Sequence, residues 1–232
     1  MRVLILVLAS DTEPIYCKFQ SVWKNVSHPR ADILFLKAHP NLQGNDFIHE
    51  NTVYIKCEES LNTVYEKQMR CFRLLRSRLN DYAYVFRTNL SSFVDIPKYL
   101  HFCETLPRSS VYSGVIGHHN GIPFASGCGF TLTPDLIYRL LDENPPEVLI
   151  DDVSIGYAIA KWNVVIVPAP RVDILATGIV RHVSDVSNIV FHYRIKTHDR
   201  VDDVRTLASL FKNGQPVVVD KPLSKSPFWM LT

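Results

Sequence analysis

Residues 3–9 read Val-Leu-Ile-Leu-Val-Leu-Ala, an unbroken apolar run that ends in Ser10-Asp11-Thr12. A strand wetted on one face alternates apolar and polar residues; one without alternation must be covered on both faces. That restricts the chain to a sheet sandwiched between helices, with parallel pairing around its first strand. At seven residues the run is too short to cross a bilayer and short for a signal peptide's apolar segment, so it reads as a buried strand. Further strand patterns at Ile33–Ala38, Val53–Lys56, Tyr82–Phe86, Val111–Ile116, Phe130–Leu132 and Val164–Val167 alternate with helical ones. Such alternation predicts an α/β three-layer sandwich with a mostly parallel central sheet.

The helical patterns are equally specific. Ile15, Phe19, Val22 and Trp23 share one face; Val64, Met69, Phe72, Leu75 and Leu79 predict a long helix over 61–79, with a basic outer surface that reads as solvated. A helix follows Asp95-Ile96-Pro97, and another spans Val201–Phe211, capped by Asp199 or Asp202. Thr133-Pro134-Asp135 supplies an N-cap, a first-turn proline and a first-turn acid for a helix buried through Leu136, Ile137, Leu140 and Leu141; Asn144-Pro145-Pro146 stops it. Gly117-His118-His119-Asn120-Gly121 reads as a loop or hairpin carrying exposed histidines. The 232 residues, 47% of them apolar, divide into one domain over 1–212 and a proline-bearing tail or linker over 213–232, with room for further domains beyond it. A net charge of +2 gives no electrostatic case for nucleic acid or an anionic membrane. Five cysteines without a C-x-x-C pair argue against a disulfide framework or zinc site and fit a soluble protein of the reducing cytoplasm.

One block carries the chemistry. Ser126-Gly127-Cys128-Gly129 precedes the strand Phe130–Leu132, and its two glycines permit a close backbone approach. After the helix stop come two adjacent acids, Asp151-Asp152-Val153-Ser154-Ile155-Gly156, ahead of an amphipathic helix. Taken alone, the acids read as an N-cap with dipole compensation. The order of the pieces resembles the fringe-like and β-1,3-galactosyltransferase-like glycosyltransferases of the GT-A fold, in motif sequence over roughly residues 3 to 205. That resemblance implies transfer of a hexosyl unit from a nucleoside-diphosphate sugar, UDP-linked, to a glycan hydroxyl. Asp152 is the implied base of an inverting reaction, and Asp151 orients Asp152 or the acceptor. Ser126, Gly127, Cys128 and Gly129 border the acceptor pocket.

The donor is expected at the carboxyl ends of the strands, at Ala9, Ser10 and Asp11; a turn capped by Asp11 or Thr12 explains the same residues structurally. Lys67 matches the family's donor-side lysine, against a snorkelling alternative. Arg87-Thr88-Asn89-Leu90-Ser91 stands where the resembling enzymes place Lys-Thr-Asp-Asp-Asp, whose acids hold Mn²⁺. Here an amide and hydroxyls replace the anionic ligands, which favours a metal-independent reaction over a Mn²⁺- or Mg²⁺-dependent one. Alternation along Val190–Thr197 puts His192, Arg194 and Lys196 on one strand face. His192 matches the family's late metal-ligating histidine, while Arg194 and Lys196 are the candidates to neutralise the departing diphosphate. A solvated edge strand is the structural alternative. Two other function classes remain: a sugar-binding pseudoenzyme, because the acids are missing, and a nucleotidyltransferase, disfavoured because 9–14 contains no glycine-rich phosphate loop.

Overall fold

The computed structural model describes residues 1–213; the expected tail over 213–232 lies outside the described residues from 214 onward. The apolar opening run forms β1 (Val3–Leu8), with parallel neighbours on both sides. One is β2 (Ala31–Ala38), reached through α1 (Pro14–Trp23); the other is β5 (Tyr84–Asn89). Beyond β2 lie β4 (Thr52–Ile55), also parallel, and a short antiparallel edge strand β3 (Phe47–His49). The intervening chain forms α2 (Val64–Leu75), β6 (Ser92–Val94) and α3 (Ile96–Glu104). On the far side of β5, β8 (Ile122–Leu132) and β7 (Tyr112–His119) pair antiparallel as a hairpin, and β9 (Ile166–Pro168) closes the sheet parallel to β7. The order is β3-β4-β2-β1-β5-β8-β7-β9. The sheet is therefore mixed rather than mostly parallel.

That hairpin is the physical reason. Asn120 (φ 48°) and Gly121 (φ 78°) both take the left-handed conformation that a two-residue type I′ turn requires. The turn folds β8 back on β7, and β8 then pairs with β5 in the reverse direction. The Gly127-x-Gly129 segment consequently sits inside strand β8, not in a turn before it. His118 and His119 are strand residues, and His119 Nδ1 lies 3.0 Å from the Tyr157 hydroxyl. The expected helix over 61–79 is three pieces: a 3₁₀ turn at Leu61–Thr63, then α2, then a 3₁₀ turn at Arg76–Asp81. Leu79 stays buried through that change of winding.

Alternate residues of β1 feed two cores. Leu4 and Leu6 face α2, α4 (Pro134–Glu143) and α5 (Asp151–Ala160). Val3, Ile5 and Val7 face α1, α3 and α6 (Arg200–Asn213). This gives the three-layer α/β arrangement. A second sheet of order β11-β10-β12-β6 joins the α1/α6 side and is built from β10 (Arg171–Leu175), β11 (Gly178–His182), β12 (His192–Lys196) and β6. Thr133 takes the N-cap position of α4 but turns its hydroxyl to the Val111 amide (3.0 Å) instead of the helix. Asp199 does cap α6, accepting from Val201 and Asp202. Among the described residues no helix is long and apolar enough to cross a membrane, and all five cysteines are free thiols.

Candidate active site

The chain leaves β1 towards β2 on one side and returns to β5 on the other, so the carboxyl ends of β1 and β5 flank the point where the winding reverses. In open α/β sheets ligands bind at that crevice. Ala9, Ser10 and Asp11 leave β1 there, and Asn89, Leu90 and Ser91 leave β5.

The acid pair reaches the same edge from α5, whose first two residues are Asp151 and Asp152. Ile150 occupies the N-cap, and neither acid caps through its side chain. Both carboxylates instead turn towards β8 and β5. Asp152 accepts from the Gly127 amide at 2.6 Å through Oδ2 and from the Val153 amide at 3.0 Å through Oδ1, and is 8% exposed. Asp151, 7% exposed, forms an ion pair with Arg87. Burial pushes the Asp151 carboxyl up; the Arg87 charge pulls it back, and the neighbouring Asp152 adds to the rise.

The glycines make this packing possible. A Cβ on Gly127 would stand 2.9 Å from Asp152 Oδ2, and one on Gly129 2.8 Å from His192 Nδ1 and Phe86 Cζ. A Cβ on Gly156, in the second turn of α5, would meet the backbone of Phe124 at 2.9 Å. Close approach, expected for the pair on β8, thus extends to the helix carrying the acids.

The sequence-predicted donor residues divide. Arg87 is 3% exposed and committed to Asp151, so it does not face the crevice freely. Thr88 donates to the Cys128 carbonyl at 3.0 Å, holding β5 against β8. The Leu90 carbonyl accepts from the Trp23 indole at 2.9 Å, and the Ser91 carbonyl from the Ile195 amide at 2.9 Å. Of the β5 group, Asn89 ends the strand with a half-buried side chain. Asp11 bonds to Lys37 of β2 at 2.6 Å, and Ser10 to Thr12 at 2.8 Å. Lys67 is only 1% exposed and bonds to Glu59 at 2.6 Å, while Glu59 accepts from the Ala38 amide at 3.2 Å. Lys67 is therefore neither snorkelling nor part of a solvated face; it braces the carboxyl end of β2.

The second sheet supplies a wall that the sequence showed only in part. Its apolar face, with Phe93, Val172, Tyr193 and Ile195, joins the core. The opposite face carries His192, Arg194 and Lys196, as alternation along β12 predicted, and register adds Arg171 beside His192, Asp173 beside Arg194, and Ser92 across from Arg194. Arg171 grips Asp173 with two bonds (2.6 and 3.0 Å) and donates to the Ser126 hydroxyl at 3.1 Å. Asp173 also meets His182 at 3.1 Å, and these partners outweigh burial to bring its carboxyl down to about 2. Arg194 approaches Asp173 only at 3.8 Å, and Lys196 is exposed. Sequence reading missed Arg171, Asp173, His182 and Lys37. The alternation in Arg171-Val172-Asp173 was the available signal.

His192 is enclosed. It is 2% exposed, packs edge-on against Phe86, and burial together with the Arg171 charge pushes its imidazole well below its ordinary range. Among the described residues no group of three His, Cys, Asp or Glu side chains converges as a metal site. With Asp11 engaged by Lys37 and Asn89-Leu90-Ser91 lacking acids, the donor set does not fit a resident divalent ion.

Comparison with protein-family models and with curated proteins finds no match for the chain.

Proposed function

We propose that the protein is a GT-A-type glycosyltransferase that moves a hexosyl unit from a nucleoside-diphosphate sugar, UDP-linked, to a glycan hydroxyl with inversion. The observation that carries this reading is the acid pair. Two adjacent carboxylates, far in sequence from β5 and β8, are drawn to the reversal point by Arg87 and by the Gly127 amide. A helix N-cap needs neither contact.

Asp152 is the base. Its oxygens accept one amide each, which fixes the carboxylate plane and leaves a lone pair on each oxygen for an acceptor hydroxyl. The hydroxyl oxygen bonds to the anomeric carbon as its proton passes to Asp152 and the bond to the diphosphate breaks. Negative charge then grows on the diphosphate. Arg194 and Lys196 lie on the polar face of the second sheet, and the Ile195 amide between them is bonded to Ser91 beside the β5 end. They supply the charge compensation that a metal gives elsewhere. The five free thiols fit work in a reducing compartment.

The test is transfer and donor hydrolysis with a panel of UDP- and GDP-sugars, comparing the wild type with Asp152→Asn. Asp152→Asn should lose transfer by at least about a hundredfold while donor affinity stays within about twofold, because the base acts on the acceptor. Wild-type turnover in Asp152→Asn removes the mechanism. A donor that binds but is never transferred favours a sugar-binding pseudoenzyme, a reading supported by the engagement of Asp11 with Lys37.

A further inference from the structure

Arg87 reaches the acid pair from β5, with its guanidinium carbon 5.5 Å from the Phe130 ring centre and one terminal nitrogen on Asp151. Its Nε and Nη1 are shielded from solvent and have no hydrogen-bond partner among the described residues. Nη1 and Asp152 Oδ2 both lie within 3.1 Å of the point where a Cβ on Gly127 would stand. The missing side chain at Gly127 is what lets the guanidinium come up beside the second carboxylate as well as the first.

Two buried carboxylates thus face one buried cation, and guanidinium keeps its proton at any working pH. Among the described residues, the other groups around the pair are acids, a phenol, or cations already paired with other carboxylates. Glu147, on the loop before α5, and the Tyr112 phenol of β7 both sense Asp151. From α2, Glu66 acts on Glu147, and Lys67 is tied to Glu59. From β10, Arg171 reaches Ser126 but is gripped by Asp173. A diphosphate at the carboxyl ends of β1 and β5 would also find the Arg87 nitrogens covered.

We infer that Arg87 is a positioning residue for the acid pair, the internal counter-ion that keeps Asp151 charged and fixed so that Asp152 is the carboxylate left to take the acceptor's proton, and not a contact to the donor's diphosphate. This rests on the transferase reading of the site. Without Arg87, only the backbone amides at the start of α5 oppose the burial and the like charge acting on Asp151, so it takes up a proton and shares it with Asp152. The pair then titrates as a unit, and the free base is lost at neutral pH.

The experiment combines carboxyl ¹³C NMR titration of aspartate-labelled protein, calorimetric affinity for UDP, and the pH dependence of transfer. It compares the wild type, Arg87→Met, Arg87→Lys and the double variant Arg87→Met/Asp151→Asn. In Arg87→Met the Asp151 midpoint and the acid limb of the rate profile should both rise by at least about one pH unit, with UDP affinity within about twofold. The double variant, which removes both charges of the ion pair, should bring the acid limb back. Arg87→Lys keeps the charge and should hold the limb within about half a unit; that comparison decides the matter even if Arg87→Met does not fold. Two results would overturn the inference: a tenfold or greater loss of UDP affinity in Arg87→Lys, or lower stability with carboxyl midpoints and acid limb unmoved. Carboxyl titration and UDP affinity need no turnover. A wild type that transfers no sugar therefore defeats the transferase reading while these two measurements still decide the role of Arg87.

Discussion

Gly156→Ala sets two effects of known sign against each other. Gly156 lies inside α5, where alanine is favoured over glycine by about 1 kcal/mol from helix propensity alone. On an open helix face the substitution would stabilise. Here the new Cβ would stand 2.9 Å from the Phe124 Cα and 3.0 Å from the Pro123 carbonyl oxygen, and closer still to the Phe124 Cβ. Carbon atoms pack best at about 3.5–4.0 Å, and none of these neighbours can rotate away, so helix and strand must part. Overpacking of this kind costs about 1–3 kcal/mol, and its upper half applies where backbone is the obstacle. The net expectation is a loss of about 1–2 kcal/mol, a fall in Tm of roughly 2–8 °C for a domain of this size. Because α5 carries Asp152, the movement should also lower kcat more than it raises KM. Urea denaturation and thermal melting measure the first effect, and transfer kinetics the second. A Gly156→Ala protein more stable than the wild type would refute the reasoning, since propensity would then have won and α5 would not be seated on β8 as described.

Leu140→Ala in α4 should cost about 2–5 kcal/mol, since Leu140 is fully buried; a loss below about 0.5 kcal/mol in urea denaturation would mean that another face of α4 is inside. His192 has a folded-state pKa below its unfolded value, so its contribution is complete above about pH 6.5 and is lost as the pH falls below that, by up to about 1.4 kcal/mol per unit. Urea midpoints at pH 7.5 and 5.5 should show this loss in the wild type and less of it in His192→Asn; equal slopes would exclude a neutral buried His192. In excess EDTA, transfer should persist, and Arg194→Ala and Lys196→Ala should each weaken donor binding; activity abolished by EDTA and restored by Mn²⁺ would reverse the assignment.

The features legible in the sequence were those written in a local pattern. The unbroken run at 3–9 fixed a two-sided sheet, alternation in His192-Tyr193-Arg194-Ile195-Lys196 fixed a polar face, and Gly127-x-Gly129 marked a close approach that proves to be against Asp152 and His192. Pairing direction was not legible. A hairpin turn at Asn120-Gly121 reverses β8, and no residue within β8 records that its other neighbour, β5, will then run against it. Charge partners set by register were equally hidden. Asp173 meets His182 only once β10 and β11 have paired, and Lys67 meets Glu59 only after a 3₁₀ turn brings them together. Arg87 sits in a stretch that reads as a polar loop, yet it lies within β5 and points into the α5 side, because the strand runs on to Asn89.

The passage from β5 to β6 takes only Leu90 and Ser91, so one continuous length of chain leaves the large sheet and enters the small one. Its two carbonyls are held by the Trp23 indole and the Ile195 amide. Trp23 is fully buried, set edge-on to Phe211 with ring centres 4.9 Å apart. The seam between the two sheets therefore contains its own fluorophore. Any ligand that pries the small sheet from the large one must disturb that indole, and the emission of Trp23 becomes an optical gauge of opening at the mouth of the crevice.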